Sequence, residues 1–287
     1  MTLRSTGELC SALRAARDVA LLAYTLPPGP VEDALLAAAA RGAHVCVRLE
    51  GRPYADARGG LALANRRAVE RLARAGADAR LVDTDPDAPA PIHAKALVAD
   101  GALFLDDRNW TRGDATILRD TSVSDRRVVA DAIDGRADAA HGRFAMRKRD
   151  ALASEARLLQ SAARGDDVAV ASESFGAGNA VYAALDALAR AGAAPRLLVN
   201  AHDAARNPRE ASALRRLQRD GVRVRLTADD EKFALAGARG WIGSANATAA
   251  FAQPDQLDWG LRSDARAVVG ALRTRFEARW RAARPLA

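Results

Sequence analysis

Apolar and polar positions change period along the chain, and they do so twice in the same order. "RDVALLAYTL" (17–26) and "DDVAVASESF" (166–175) are short apolar runs entered through an acidic residue, which reads as buried strands. "VEDALLAAAARGAHVCVRLEG" (31–51) and "VYAALDALARAGAAPRLLVNA" (181–201) each read as an amphipathic helix, a glycine stop (Gly42, Gly192) and a second strand. "VERLARAGADARLVD" (69–83) and "LRRLQRDGVRVRLTA" (214–228) add a helix, a glycine cap and a third strand. "SDRRVVADAI" (124–133) and "SDARAVVGAL" (263–272) close each half with a helix. The expected fold is α/β, with two similar βαβαββα repeats packed about a pseudo-twofold axis and a site at their seam. The expected boundaries are 1–140 for the first repeat, 141–165 for a connecting helix ("RFAMRKRDALASEARLLQSAARG", 143–165) and 166–287 for the second.

The same alignment sharpens the chemistry. The chain has 43 lysines and arginines, and only three are lysines. Two of these, Lys95 and Lys232, fall on equivalent positions, as do Phe104 with Trp241 and Asn109 with Asn246. Arginine would serve a surface ion pair as well, whereas a compact ammonium at a buried strand end suits a phosphate oxygen. His93, one of four histidines, stands two residues before Lys95 and therefore on the same face of a strand.

Composition narrows the setting. At 49% hydrophobic residues the 287-residue chain is not of disordered type. A net charge of +7 and a pI near 10.2 favour phosphate-rich partners, but arginine is spread throughout and "RKR" (147–149) is the one basic block. Cys10 and Cys46 fit no metal or redox spacing, which fits a reducing compartment. "VALLAYTL" (19–26) is too short to span a bilayer. The expectation is a cytoplasmic protein with no transmembrane segment, no cofactor and no metal.

"HAKALVADG" (93–101) resembles the His-x-Lys-x4-Asp motif of the phospholipase D superfamily, and "GSAN" (243–246) resembles its downstream Gly-Ser-x-Asn element. The resemblance covers nearly the whole chain. It implies two α/β halves whose motifs meet at one metal-independent site. There one histidine attacks phosphorus to form a phosphohistidine, a second group protonates the leaving oxygen, and lysines and asparagines hold phosphoryl oxygens. Carried over residue by residue, it implies His93 as nucleophile, with Lys95, Asn109, Lys232, Ser244 and Asn246 holding phosphate. Asp100 either orients a histidine or holds its own turn together.

The pattern is incomplete in both halves. Asp106-Asp107 replaces Gly-Ser in the first, where the pair reads as a tight turn or, less directly, a cation site. In the second, Asp230 stands in place of histidine and Gly237 in place of aspartate. Asp230 is the positional candidate for the missing acid, with His202, Asp107 and Glu173 as alternatives. Three readings stay open: an active phosphodiesterase, two chains completing each other's site, and a pseudoenzyme that binds a phosphate-bearing ligand or partner. A phospholipid substrate with peripheral membrane contact and a nucleic-acid substrate both fit the chemistry. The basic pI leans toward nucleic acid, the lack of interleaved aromatic and basic residues leans against it, and no amphipathic membrane helix stands out. The resemblance tips the choice narrowly to lipid, because a bipartite single chain is common among such enzymes of the family. The remaining histidines read as surface groups (His44, His141), and Trp110 and Trp241 as core.

Overall fold

The computed structural model describes residues 1–53, 56, 59–82, 92–110, 114, 116–134, 140–249 and 256–286. The chain divides into two compact units: Met1–Gly142 with Asp255–Trp259, and Arg143–Pro254 with Gly260–Ala287.

In the first unit β1 (Thr2–Arg4) and α1 (Thr6–Ala15) precede an alternation of β2 (Asp18–Ala23), α2 (Pro30–Ala40), β3 (His44–Glu50), α3 (Gly60–Arg74) and β4 (Asp78–Val82). Then come β5 (Lys95–Ala99), β6 (Ala102–Leu105), β7 (Ile117–Asp120) and α4 (Val123–Ile133). The strands form one mixed sheet of order β1-β7-β6-β5-β2-β3-β4. β2, β3 and β4 run parallel, as helical crossovers require; β5 pairs antiparallel with β2, β6 with β5 across a tight turn, β7 with β6, and the N-terminal β1 with β7.

The second unit follows the same plan. The two-residue β8 (Ala140–His141) ends the first unit's main stretch of chain, and the second opens with β9 (Phe144–Arg147), α5 (Lys148–Gln160), β10 (Val168–Ser172), α6 (Ala180–Arg190) and β11 (Arg196–Asn200). They are followed by α7 (Ala201–Arg206), α8 (Pro208–Arg219), β12 (Arg223–Thr227), β13 (Phe233–Ala236), β14 (Arg239–Gly243), β15 (Leu257–Ser263), α9 (Arg266–Ala282) and β16 (Arg284–Pro285). The sheet order is β16-β12-β11-β10-β13-β14-β15-β9-β8, in which β12-β11-β10-β13-β14-β15 repeats β4-β3-β2-β5-β6-β7 of the first sheet. The repeat is longer than its sequence outline: α5 is the counterpart of α1, and each unit adds a third antiparallel strand, β7 or β15.

Local chemistry explains the boundaries. Ser5 and Glu8 form a capping box at α1, each side chain accepting the other's backbone N–H. Gly42 and Gly192 close α2 and α6 in the left-handed region (φ 87° and 84°). β10, β11 and β13 are buried along their whole length, as strands covered on both faces must be. The first core gathers Leu21, Val47, Leu97, Phe104 and Trp110; the second gathers Leu159, Val170, Leu197, Val199 and Trp241. Both cysteines are free thiols, and burial raises both above their ordinary range. No helix among the described residues is long and apolar enough to cross a membrane.

Candidate active site

His93 stands at the entrance to β5, where two backbone bonds fix the chain. Its N–H donates to Leu257 O at 2.7 Å, and the Ile92 N–H donates to Glu50 Oε2 at 3.0 Å. Its imidazole Nδ1 lies 2.8 Å from Asp258 Oδ1, and both side chains are buried. A carboxylate can only accept, so Nδ1 carries a proton, and in the neutral ring it is Nε2 that keeps a lone pair. The Tyr24 ring meets the imidazole edge-on with centroids 5.0 Å apart. The Lys95 Nζ donates to His93 O at 2.6 Å and lies 5.4 Å from the Tyr24 ring centroid. Asn65 on α3 ties this end of the sheet together: its amide donates to Tyr24 O and Glu50 O, and its Oδ1 accepts from Leu26 N.

The second unit repeats this frame with other side chains. The Lys232 Nζ donates to Asp230 O at 2.9 Å, as Lys95 does to the carbonyl two residues before it. Gly243 N donates to Lys232 O, as Asp106 N does to Lys95 O. Glu210 on α8 accepts from Phe175 N, taking the part of Asn65. Burial raises the Glu210 carboxyl to about 7, with Asp203 and Glu173 adding to the rise. Asn200 donates to Asp230 Oδ1 at 2.7 Å and so holds the residue equivalent to His93. Lys232 pairs with Glu173 Oε2 at 2.8 Å, and the Asn246 amide donates to the same oxygen at 3.3 Å.

The other sequence candidates lie as follows. Asp100 is at the far end of β5 from His93, where its Oδ1 accepts the Arg17 and Asp18 N–H groups; these bonds hold its carboxyl below the usual range. At the equivalent turn Gly237 has φ 55° against 43° for Asp100, and the Asp166 carboxylate lies where a Gly237 Cβ would point. Asp107 is fully buried and accepts the Thr116 hydroxyl. Asn109 Oδ1 is buried without a hydrogen-bond partner among the described residues, and Ser244, directly after β14, is fully buried. His202 is exposed on α7, with Nε2 against Arg206, and His44 is exposed against Asp18. The side chain of His141 lies outside the described residues.

Asp106 accepts from the N–H groups of Arg108 and Trp110, a tight turn. With Asp107 and Asp114 it forms the one group of carboxylates among the described residues whose oxygens lie within 4.8 Å of one another. Burial first, and then the charges of Asp114 and Asp107, push the Asp106 carboxyl well up. Asp114 is held low despite its burial, chiefly by Arg108, whose guanidinium bonds into the group and already supplies the cation.

Asp258 is the residue that sequence reasoning missed. A lone acid inside the apolar strand "LDWGLRS" is its signal, since a buried carboxylate needs a partner.

Residues 156–280 match the family model described as "Cardiolipin synthase, PLD-like domain". No curated protein matches the chain. Among solved structures, phosphatidylserine synthase of Haemophilus influenzae Rd KW20 superposes with a TM-score of 0.66 at 13% identity, over 98% of this chain and 86% of that one. Polyphosphate kinase of Porphyromonas gingivalis superposes with a TM-score of 0.63 at 17% identity over 96% of this chain, which spans only 48% of the kinase. Residues 156–280 thus match a phospholipase D-like domain, and the chain shares the fold of phosphatidylserine synthase over nearly its whole length.

Proposed function

We propose that the chain is a phospholipase D-like phosphodiesterase or phosphatidyltransferase acting through a phosphohistidine on His93. The buried His93–Asp258 pair carries this reading. Asp258 fixes the tautomer that leaves Nε2 nucleophilic, and its charge offsets the positive charge that the ring gains as the N–P bond forms. The ester P–O bond breaks as that bond forms, and the leaving oxygen takes up a proton. Water or an alcohol then attacks phosphorus and releases the imidazole. Lys95 supplies a fixed charge beside the reacting group. No step requires a metal.

A phospholipid is the proposed substrate class. A family model named for a phospholipid-synthesising enzyme and a fold shared with a phosphatidylserine synthase support it. The test is to incubate the chain with phosphatidylglycerol vesicles, quench in alkali and map the adduct by mass spectrometry. Wild type acquires a phosphatidyl adduct on His93, and His93→Ala does not. An adduct formed with a DNA oligonucleotide instead would move the substrate to nucleic acid. One observation favours a second reading, a phosphate-binding pseudoenzyme: Asp230 stands where the second histidine would, and Lys232 is already paired with Glu173. Wild type and His93→Ala equally inert on lipid, nucleic-acid and chromogenic diesters would establish that reading.

A further inference from the structure

The two lysines face different residues. Both send Nζ to the carbonyl two residues back, and both have their own carbonyl bound by the N–H eleven residues on. The residue facing each comes from the position directly after an equivalent strand: Tyr24 after β2 and Glu173 after β10. Tyr24 offers Lys95 a ring face and no formal charge. Glu173 offers Lys232 a carboxylate at 2.8 Å.

We infer that Glu173 is a resident anion, a carboxylate of the chain itself placed where Lys232 and Asn246 would otherwise hold a phosphoryl oxygen. The two donors converge on a single oxygen, Glu173 Oε2, as they would on one oxygen of a tetrahedral anion. Asn246 is oriented for this by its own Oδ1, which accepts from Ser174 N at 3.3 Å. The Lys232 side chain is 3% exposed and that of Glu173 is 32% exposed, so the anion sits on the outer side of a buried cation. A carboxylate held by a charge-assisted bond to a buried ammonium resists replacement by a dilute phosphate. The second unit therefore keeps the phosphate-binding donors of the duplicated site and closes them to phosphate. The inference rests on the phosphodiesterase reading only in taking these donors to be a phosphate subsite.

The test uses tungstate, a tetrahedral dianion, soaked into crystals of the full chain and titrated calorimetrically in solution. Wild type shows no tungstate at Lys232 and Asn246. Glu173→Gln keeps the shape and removes the charge, and it gains one tungstate per chain on those two side chains. Glu173→Ala gains the same site with space to spare, which guards against Gln simply re-forming the bond to Lys232. Tungstate bound at Lys232 in wild type as tightly as in Glu173→Gln overturns the inference. So does its absence from that place in both variants while each keeps the wild-type fold by circular dichroism. An adduct on His93 without a new tungstate site in the variants sinks only the resident anion; a new site without an adduct sinks only the catalytic reading.

Discussion

At the scale of single residues the pair that matters is His93 with Asp258. Replacing the carboxylate with an amide of the same shape leaves packing intact and allows the ring to take the wrong tautomer. Asp258→Asn is expected to lower kcat by roughly 10²- to 10⁴-fold. KM is expected to change little, because the substrate does not contact Asp258 in this mechanism. A full kinetic comparison checks it, and an unchanged kcat would remove Asp258 from the reaction. The histidine and Lys95 were legible in sequence because two residues apart on a strand means one face. The aspartate was not: it lies 165 residues from its partner. Nothing in local periodicity connects them, and only an acid out of place in an apolar strand marked it.

At the scale of elements, α5 and the β5–β6 turn each carry a titrating group with a consequence. The apolar period of 148–160 was readable as a helix, but the preceding "FAMR" was not readable as a strand. Four residues leave too little alternation to judge, and sheet pairing alone makes them β9. Glu155 on α5 is fully buried, and burial raises its carboxyl to about 8. A carboxyl raised on folding costs nothing below its unfolded value, near 4.5, and costs progressively more as pH rises to 8. The penalty above pH 8 is on the order of a few kcal/mol. Glu155→Gln is expected to flatten the pH dependence of Tm between 5 and 8, and Glu155→Leu to raise Tm more at pH 8 than at pH 5. Thermal scans across that range decide it; a gain independent of pH would mean the wild-type carboxyl titrates normally. Asp100 has the opposite sign. Its two backbone bonds lower its carboxyl below 3.8, so its contribution is present above that pH and is lost as pH falls below it. Asp100→Ala should lower Tm more at pH 7 than in acid, where the carboxyl is protonated and the two backbone bonds weaken, as thermal melts across that range would show.

At the scale of the whole chain the duplication was the most legible feature, because each half repeats the same order of periods and glycine stops. What escaped was a crossing of the chain between units. Residues 255–259 belong to the first unit although the sequence around them belongs to the second. Through them Leu257 O accepts the His93 N–H, Asp258 takes the imidazole proton and the Trp259 Nε1–H donates to Asp106 O at 3.0 Å. A short segment with no periodicity of its own cannot announce which core it joins. It follows that the first unit is not a contiguous piece of chain. A fragment of residues 1–142 loses all three bonds, and each buried group left without its partner costs about 1–3 kcal/mol. Against a typical total of about 5–15 kcal/mol for a domain, the fragment should unfold at much lower urea than the intact chain or fail to fold. Trp259→Phe in the full chain isolates one of the three. It leaves Asp106 O unpaired in the core and is expected to cost about 1–3 kcal/mol. Urea unfolding followed by circular dichroism measures both. A 1–142 fragment with an undiminished midpoint would show that residues 255–259 only decorate a unit stable without them, and that the carboxylate facing His93 is not part of its fold.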